Sequence, residues 1–217
     1  MNGAVVSRRA VLSVAVLLGA SALGGCKIVS IAAEQKAAKA AAFDPKGWAE
    51  QLWAPKVVPY FNSSSKPLVE VVKAIGTGLD TAGKDFGYRP SSEGSPWSFA
   101  VAGSGTVLKK NTQSRAGTLT VALDGGDANQ PVTVQIGPVI IGSAIRDALP
   151  FVNFQDFTNQ IDFADAGKAL TALALAGIAP VAATIKDGSK IRFTGALSMT
   201  SKSDPIKVTP VSLEVVS

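Results

Sequence analysis

From Pro96 onward the chain alternates. In SFAVAGSGTVLKK, Phe99, Val101, Gly103, Gly105 and Val107 fall on one side, the period of two that marks a half-buried strand. GTLTVALDGG sets Leu119, Val121 and Leu123 against Thr118, Thr120 and Ala122, and PVTVQIGP alternates Val132, Val134 and Ile136. A helical region follows to about Ala176, split by Pro150, which breaks a helix running through it. Alternation returns in KIRFTGALSM, with Ile191, Phe193, Gly195, Leu197 and Met199 on one face, and in IKVTPVSLEVV, where Pro210 predicts a bulge or an edge. Three strands, a helical insert and two strands is the order of an OB-fold. The predicted fold is therefore mainly β within the α+β class: an OB-like five-stranded barrel, with the insert between strands 3 and 4 and helices at the N-terminus. Gly103, Gly105 and Gly195 suit strands that must coil sharply. Periodicity does not give strand order, so another small α+β sandwich is the alternative.

Before Pro96 the period is helical. In FDPKGWAEQLWAPKVVPYF, Asp44 followed by Pro45 reads as an N-cap and first helical position. Trp48, Leu52 and Trp53 then share a face that docks on the core, and Pro55 and Pro59 end the segment. KPLVEVVKAIGTGLDTA spaces Leu68, Val71, Val72, Ile75 and Leu79 as one amphipathic helix. GKDFGYRPSSEGSPW, rich in Gly, Pro and Ser, reads as a loop.

The N-terminus changes the picture most. Arg8 and Arg9 precede an apolar run from Ala10 to Leu18 and then small residues, the layout of a secretory signal. The run is too short for a membrane span, which takes about 20 apolar residues. Ser7-Arg8-Arg9-Ala10-Val11-Leu12 resembles a twin-arginine export signal as well as an ordinary one. Leu23-Gly24-Gly25-Cys26 looks like a bacterial lipobox, which assigns Cys26 as the lipidation site and the membrane as a partner through its lipid. The expected organisation is a signal over 1–25, a lipidated Ala-rich spacer over 26–42, N-terminal helices and a loop over 43–95, and the β domain over 96–217.

This removes most side-chain chemistry. The chain has one Cys and no His, and acylation consumes the Cys. Nucleophilic triads that need His and zinc sites built on His or Cys are excluded, and no cofactor or metal is expected. The net charge is +5 with a pI near 9.4. Losing Arg8 and Arg9 with the signal lowers that +5 by two, leaving a small excess that suits an anionic membrane surface or an acidic neighbour.

What remains is the stretch IGPVIIGSAIRDALPFVNFQDFTNQ, Ile136 to Gln160. In one reading it plugs an end of the barrel. Ile145, Leu149, Phe151, Phe154, Phe157 and Ile161 form the plug, Arg146 and Asp147 pair locally, and Asn153, Asp156 and Asn159 cap helices. In the other it binds a sugar. Arg146, Asp147, Asn153, Asp156, Asn159 and Gln160 then supply planar polar groups and Phe an aromatic face, with Arg115 reaching the same rim. Asp147, Asp156, Asp162 and Asp165 also admit an enzyme acting on envelope carbohydrate through paired carboxylates. Lys109, Lys110, Arg115, Lys190 and Arg192 raise nucleic-acid binding, which export and the lack of an aromatic platform on the strands disfavour.

SRAGTLTVAL, the long IGPVIIGSAIRDALPFVNFQDFTNQIDFADAGKAL segment and the C-terminal KVTPVSLEVV, behind a lipobox and an FDP…W…KVVP segment, resemble the bacterial predicted periplasmic lipoproteins of domain of unknown function 2291. The family pattern often carries Arg where this chain has Ile141. The resemblance implies secretion, lipidation and a β-rich domain, and genes that often lie beside sugar-type ABC importers. It implies no activity, substrate or catalytic residue. Taken together, the reading is a non-catalytic accessory binding or assembly lipoprotein on the periplasmic side of a cell membrane, with an importer component or a sugar as partner and no nucleic acid.

Overall fold

The computed structural model describes residues 43–90 and 95–216. The signal, the lipidation site at Cys26 and the spacer lie outside the described residues. Asp44–Ser217 forms one compact unit.

Five strands close a ring. They are β2 (Trp97–Asn111), β3 (Thr118–Leu123), β4 (Val132–Gln135), β5 (Lys190–Met199) and β6 (Lys207–Val215). The order around the barrel is β2-β3-β4-β6-β5, and β5 pairs back onto β2 over Trp97↔Met199 to Thr106↔Lys190. Every contact in the ring is antiparallel except β4–β6, which runs parallel at Thr133↔Lys207 and Val134↔Val208. This is OB topology, with the helical insert between the third and fourth barrel strands. A two-residue strand, β1 (Lys66–Pro67), adds outside the ring, parallel to β2 at Val101–Ala102.

The ring closes because the strands bend where side chains are missing. A Cβ on Gly105 would run into the carbonyl of Ala122 on β3, and one on Gly195 into the carbonyl of Thr209 on β6. The register slips between Thr194 and Gly195 opposite Pro210, so the predicted bulge sits where proline has no N–H to give. The period-two faces point inward. Phe99, Val101, Leu119, Val121, Val132, Val134, Ile191, Phe193, Leu197 and Met199 are all buried in one core.

Helices seal both ends. Helix α3 (Leu68–Thr77) contributes Leu68, Val71 and Ile75, and helix α4 (Leu79–Phe86) contributes Ala82. The expected single amphipathic helix is thus two, broken at Gly78, and α4 takes in residues read as loop. It lies against the start of β2, where Trp97 Nε1 donates to Asp80 at 2.9 Å. The other end is closed by the last turns of α6 (Gln160–Thr184), through Ile178 and Ala182, and by Ile185 just beyond it. Gly177 and Pro180 predict an earlier stop, but burial of these apolar side chains outweighs them. Lys110 fixes that end. Its Nζ donates to the carbonyls of Ala182 at 2.7 Å, Ala183 at 3.3 Å and Ile185 at 2.9 Å, meeting orphan acceptors at the negative pole of the helix.

The first half of α6 does something different. It joins α1 (Pro45–Leu52), α2 (Val58–Ser64) and the short α5 (Ala144–Asp147) in a second core on the outside of the barrel. Ala49, Phe61, Ile145, Leu149, Leu170 and Ala174 pack there on Ala100, Ala196 and Val211 of β2, β5 and β6. Small residues on the outer strand faces let helices approach. Asp44 caps α1 as predicted, accepting from Gly47 N at 3.1 Å. Pro55 does not end that segment. A π-helical turn over Trp53–Val57, closed by Val58 N to Trp53 O, carries the chain past it into α2.

Candidate functional site

The insert does not plug the barrel with its Phe-rich segment. Ile145 and Leu149 are buried in the outer core, but Ile161 is 71% exposed and Phe154 44% exposed. Instead the segment between α5 and α6 walls a cleft of about 330 Å³. Its floor is the start of β2, with Pro96 and Ser98. One side is Tyr88, whose backbone pairs with that of Ser98 at 2.7 and 2.9 Å, and Pro90. The other side is Arg146 and Asp147 at the end of α5, Val152, Asn153, Phe154 and Gln155 at the start of the 3-10 turn Phe154–Asp156, and Phe163 of α6.

Arg146 is already spent. Nε and Nη2 reach Asp147 Oδ1 at 2.8 and 2.7 Å, Nη2 reaches Ser143 Oγ at 2.9 Å, and Nη1 reaches the carbonyl of Phe163 at 2.9 Å. The guanidinium also lies 3.7 Å over the Phe163 ring. Ser143 Oγ completes the set by donating to Asp147 Oδ2 at 2.6 Å. The pair is a clamp between α5 and α6. It offers the cleft a neutral, hydrogen-bonded wall rather than a free cation, and Asp147, 31% exposed, is its accessible edge.

The other predicted residues divide. Asn153 lines the cleft, and its backbone N–H donates to Asp156 Oδ2 at 3.1 Å, so Asp156 shapes the turn without lining the cleft. Asn159 caps α6, accepting from Ile161 N and Asp162 N at 2.8 and 2.9 Å, and Gln160 is exposed in its first turn. Neither lines the cleft. Arg115 is exposed in the loop after the far end of β2, where its carbonyl accepts from Val139 N at 3.1 Å. Arg146, Asp147 and Asn153 are therefore brought together, and Arg115, Asp156, Asn159 and Gln160 are not among the lining residues. Sequence reading passed over Tyr88, Pro96, Ser98 and Gln155. The Tyr88–Ser98 bridge, which joins residues across a loop, is what carries Ser98 to the cleft.

The aromatic face also has an assignable ring. Phe163 is boxed by the Arg146 guanidinium, by Phe157 at 5.3 Å and by Phe154 at 5.5 Å. Phe154 is the half-exposed member, flanked by the amides of Asn153 and Gln155. Trp48 stacks edge-on to Phe157 at 5.3 Å behind this cluster, a docking role for the first helix.

The family profile described as predicted periplasmic lipoprotein (DUF2291) matches residues 14–214. The chain belongs to this family. Among solved structures it is similar to an OB-fold protein of Thermotoga maritima, with a TM-score of 0.64 and 18% identity over 81% of this chain and 99% of that one. That likeness is one of fold. No curated protein matches the sequence.

In this member of the family the carboxylates weighed for hydrolysis do not converge. Asp147 is in the clamp, Asp156 in its turn, Asp162 accepts from Asn159 Nδ2 at 3.1 Å and Asp165 pairs with Lys168 at 2.8 Å. Asp147 alone of the four lines the cleft. The basic residues weighed for nucleic acid gain no stacking platform. Lys110 is consumed by the end of α6, and Phe99 and Phe193 are buried in the barrel core, so neither ring is offered as a stacking platform.

Proposed function

We propose that this lipoprotein is a non-catalytic accessory factor that binds a polyhydroxylated solute in the cleft between β2 and the insert, working beside a sugar-type importer at the membrane. One observation carries the reading. A cleft of about 330 Å³ sets a half-exposed Phe154 ring between two amides, with the Asp147 carboxylate and Tyr88 around it. Apolar walls with a few convergent polar groups are what small-ligand sites share, and the volume is of monosaccharide size. The clamp at Arg146 supports it by fixing the wall without adding net charge.

The test is a thermal-shift titration of the purified chain with monosaccharides and polyols. A binder at 100 times its Kd stabilises by about 2.7 kcal/mol, so a saturable rise in Tm is expected with one sugar class. Asn153→Ala and Phe154→Ala should diminish that rise, measured for each variant against its own ligand-free Tm. No rise with any member of the panel, or a rise that both variants retain in full, overturns the proposal.

A further inference from the structure

Two arginines stand near the cleft, and they differ in one respect. Arg146 has four hydrogen bonds. Arg89 has none among the described residues. Its guanidinium lies 4.2 Å over the ring of Trp97, at the start of β2, and its side chain is only 23% exposed. Among the described residues, its ion-pair partner is Asp80 Oδ1, 3.9 Å from Nη1. That oxygen already accepts from Trp97 Nε1 at 2.9 Å, and the Asp80 side chain is 78% exposed. The guanidinium is thus held by a ring face and one loose ion pair, with accessible donors that no described residue takes up in a hydrogen bond.

Arg89 opens onto a hollow of about 360 Å³, lined also by Asp80, Trp97, Thr200, Ser201 and Lys202. The loop carrying the last three is pinned. Thr200 N and Ser201 N both donate to Asp204 Oδ2 at 2.8 Å, which turns that carboxylate onto backbone donors. Lys202 is exposed and has no ion pair among the described residues. The hollow thus holds two cations against one carboxylate, with hydroxyls beside them. Ser95 borders both this hollow and the cleft described above, so the two are neighbours.

We infer that the Arg89–Lys202 hollow is a subsite for an oxyanion, a carboxylate or phosphate group, carried by the solute that occupies the adjoining cleft. The stack on Trp97 holds the guanidinium plane fixed, and a planar fork matches an oxyanion with two parallel hydrogen bonds. Lys202 supplies a second charge from the opposite loop. The half concerning the adjoining cleft rests on the proposed function; the oxyanion subsite itself does not. It makes the preferred solute an acidic or phosphorylated sugar rather than a neutral one.

The experiment titrates the full-length protein, purified in detergent, with inorganic phosphate, glucose, glucuronate and glucose 6-phosphate by calorimetry. The wild type is compared with Arg89→Met and Lys202→Met. Expected is an acidic sugar bound about tenfold or more tightly than glucose, an advantage that Arg89→Met removes and Lys202→Met reduces. Lys202 sits on an exposed loop, so that variant stays informative if Arg89→Met fails to fold. Inorganic phosphate bound in an Arg89-dependent way, with no sugar bound, upholds the oxyanion subsite and removes the sugar from the cleft. Sugars bound equally with and without the charge, and unaffected by either variant, overturn the subsite and leave the proposed function standing. Binding of none of the four overturns the subsite.

Discussion

Arg146 illustrates how a residue's partners decide its role. Its type and its neighbour Asp147 invite a ligand-binding reading, yet its donors are divided between Asp147, Ser143 and the Phe163 carbonyl. Removing it leaves Asp147 Oδ1 and that carbonyl unmatched beside an apolar cluster. Arg146→Met is expected to cost about 2 kcal/mol, less than a fully buried pair because Asp147 is partly wet; denaturant unfolding measures it. A second residue-scale consequence concerns acid. The backbone donors of Ser201 and Thr200 hold the Asp204 carboxyl below its ordinary value near 3.8. An acid held low in the fold stabilises above its unfolded value, and that support is lost as pH falls through the folded one. Asp204→Ala should therefore unfold with less pH dependence below about pH 4, read from acid titrations of Tm in both proteins. At this scale the sequence was partly readable. Helix caps at Asp44 and Asn159 follow from local spacing, whereas the clamp joins residues 146 and 163, and the Tyr88–Ser98 bridge crosses a loop, so neither leaves a local pattern.

Elements were read best where burial is one-sided. The strands of the barrel alternate, and their inward faces match the alternation closely because each has one face toward the inner core. The helices misled where both faces are used. α6 lines the outer core with Leu170 and Ala174 and the barrel end with Ile178 and Ala182, so it carries no clean stripe and runs on past Gly177 and Pro180. It is also long and apolar enough to cross a membrane by composition, a resemblance explained by packing on two cores at once. Its C-terminal end is held by Lys110. Lys110→Met keeps most of the apolar stem but returns three carbonyls to poorer partners. It is expected to lower stability by about 1–2 kcal/mol and to raise amide exchange in the barrel strand ends next to Ile185, more than in α5; hydrogen exchange with mass readout separates the two regions.

For the whole molecule, topology was inferred from element order alone, and it held because five strands with one insert admit few closures. What order could not give was the use of the insert. Its Phe-rich part lies along the barrel wall and builds a cleft, while the barrel ends are filled by α3, α4 and the tail of α6. That division leaves the cleft and its neighbouring hollow on the same side as the start of β2, framed by Trp97 and Ser98, away from Arg115 and Lys110.

The closed ring has a consequence for a protein of this kind. An open sheet would offer every neighbouring molecule a row of unpaired amides on which to grow. Here the five barrel strands pair with one another around the circle, and among the described residues the additions outside it are the single Tyr88–Ser98 bridge and the two-residue β1, which ends in Pro67 with no amide hydrogen to share. Edge-to-edge pairing between copies is thereby blocked by geometry, with Lys66 the one charge on the short added strand.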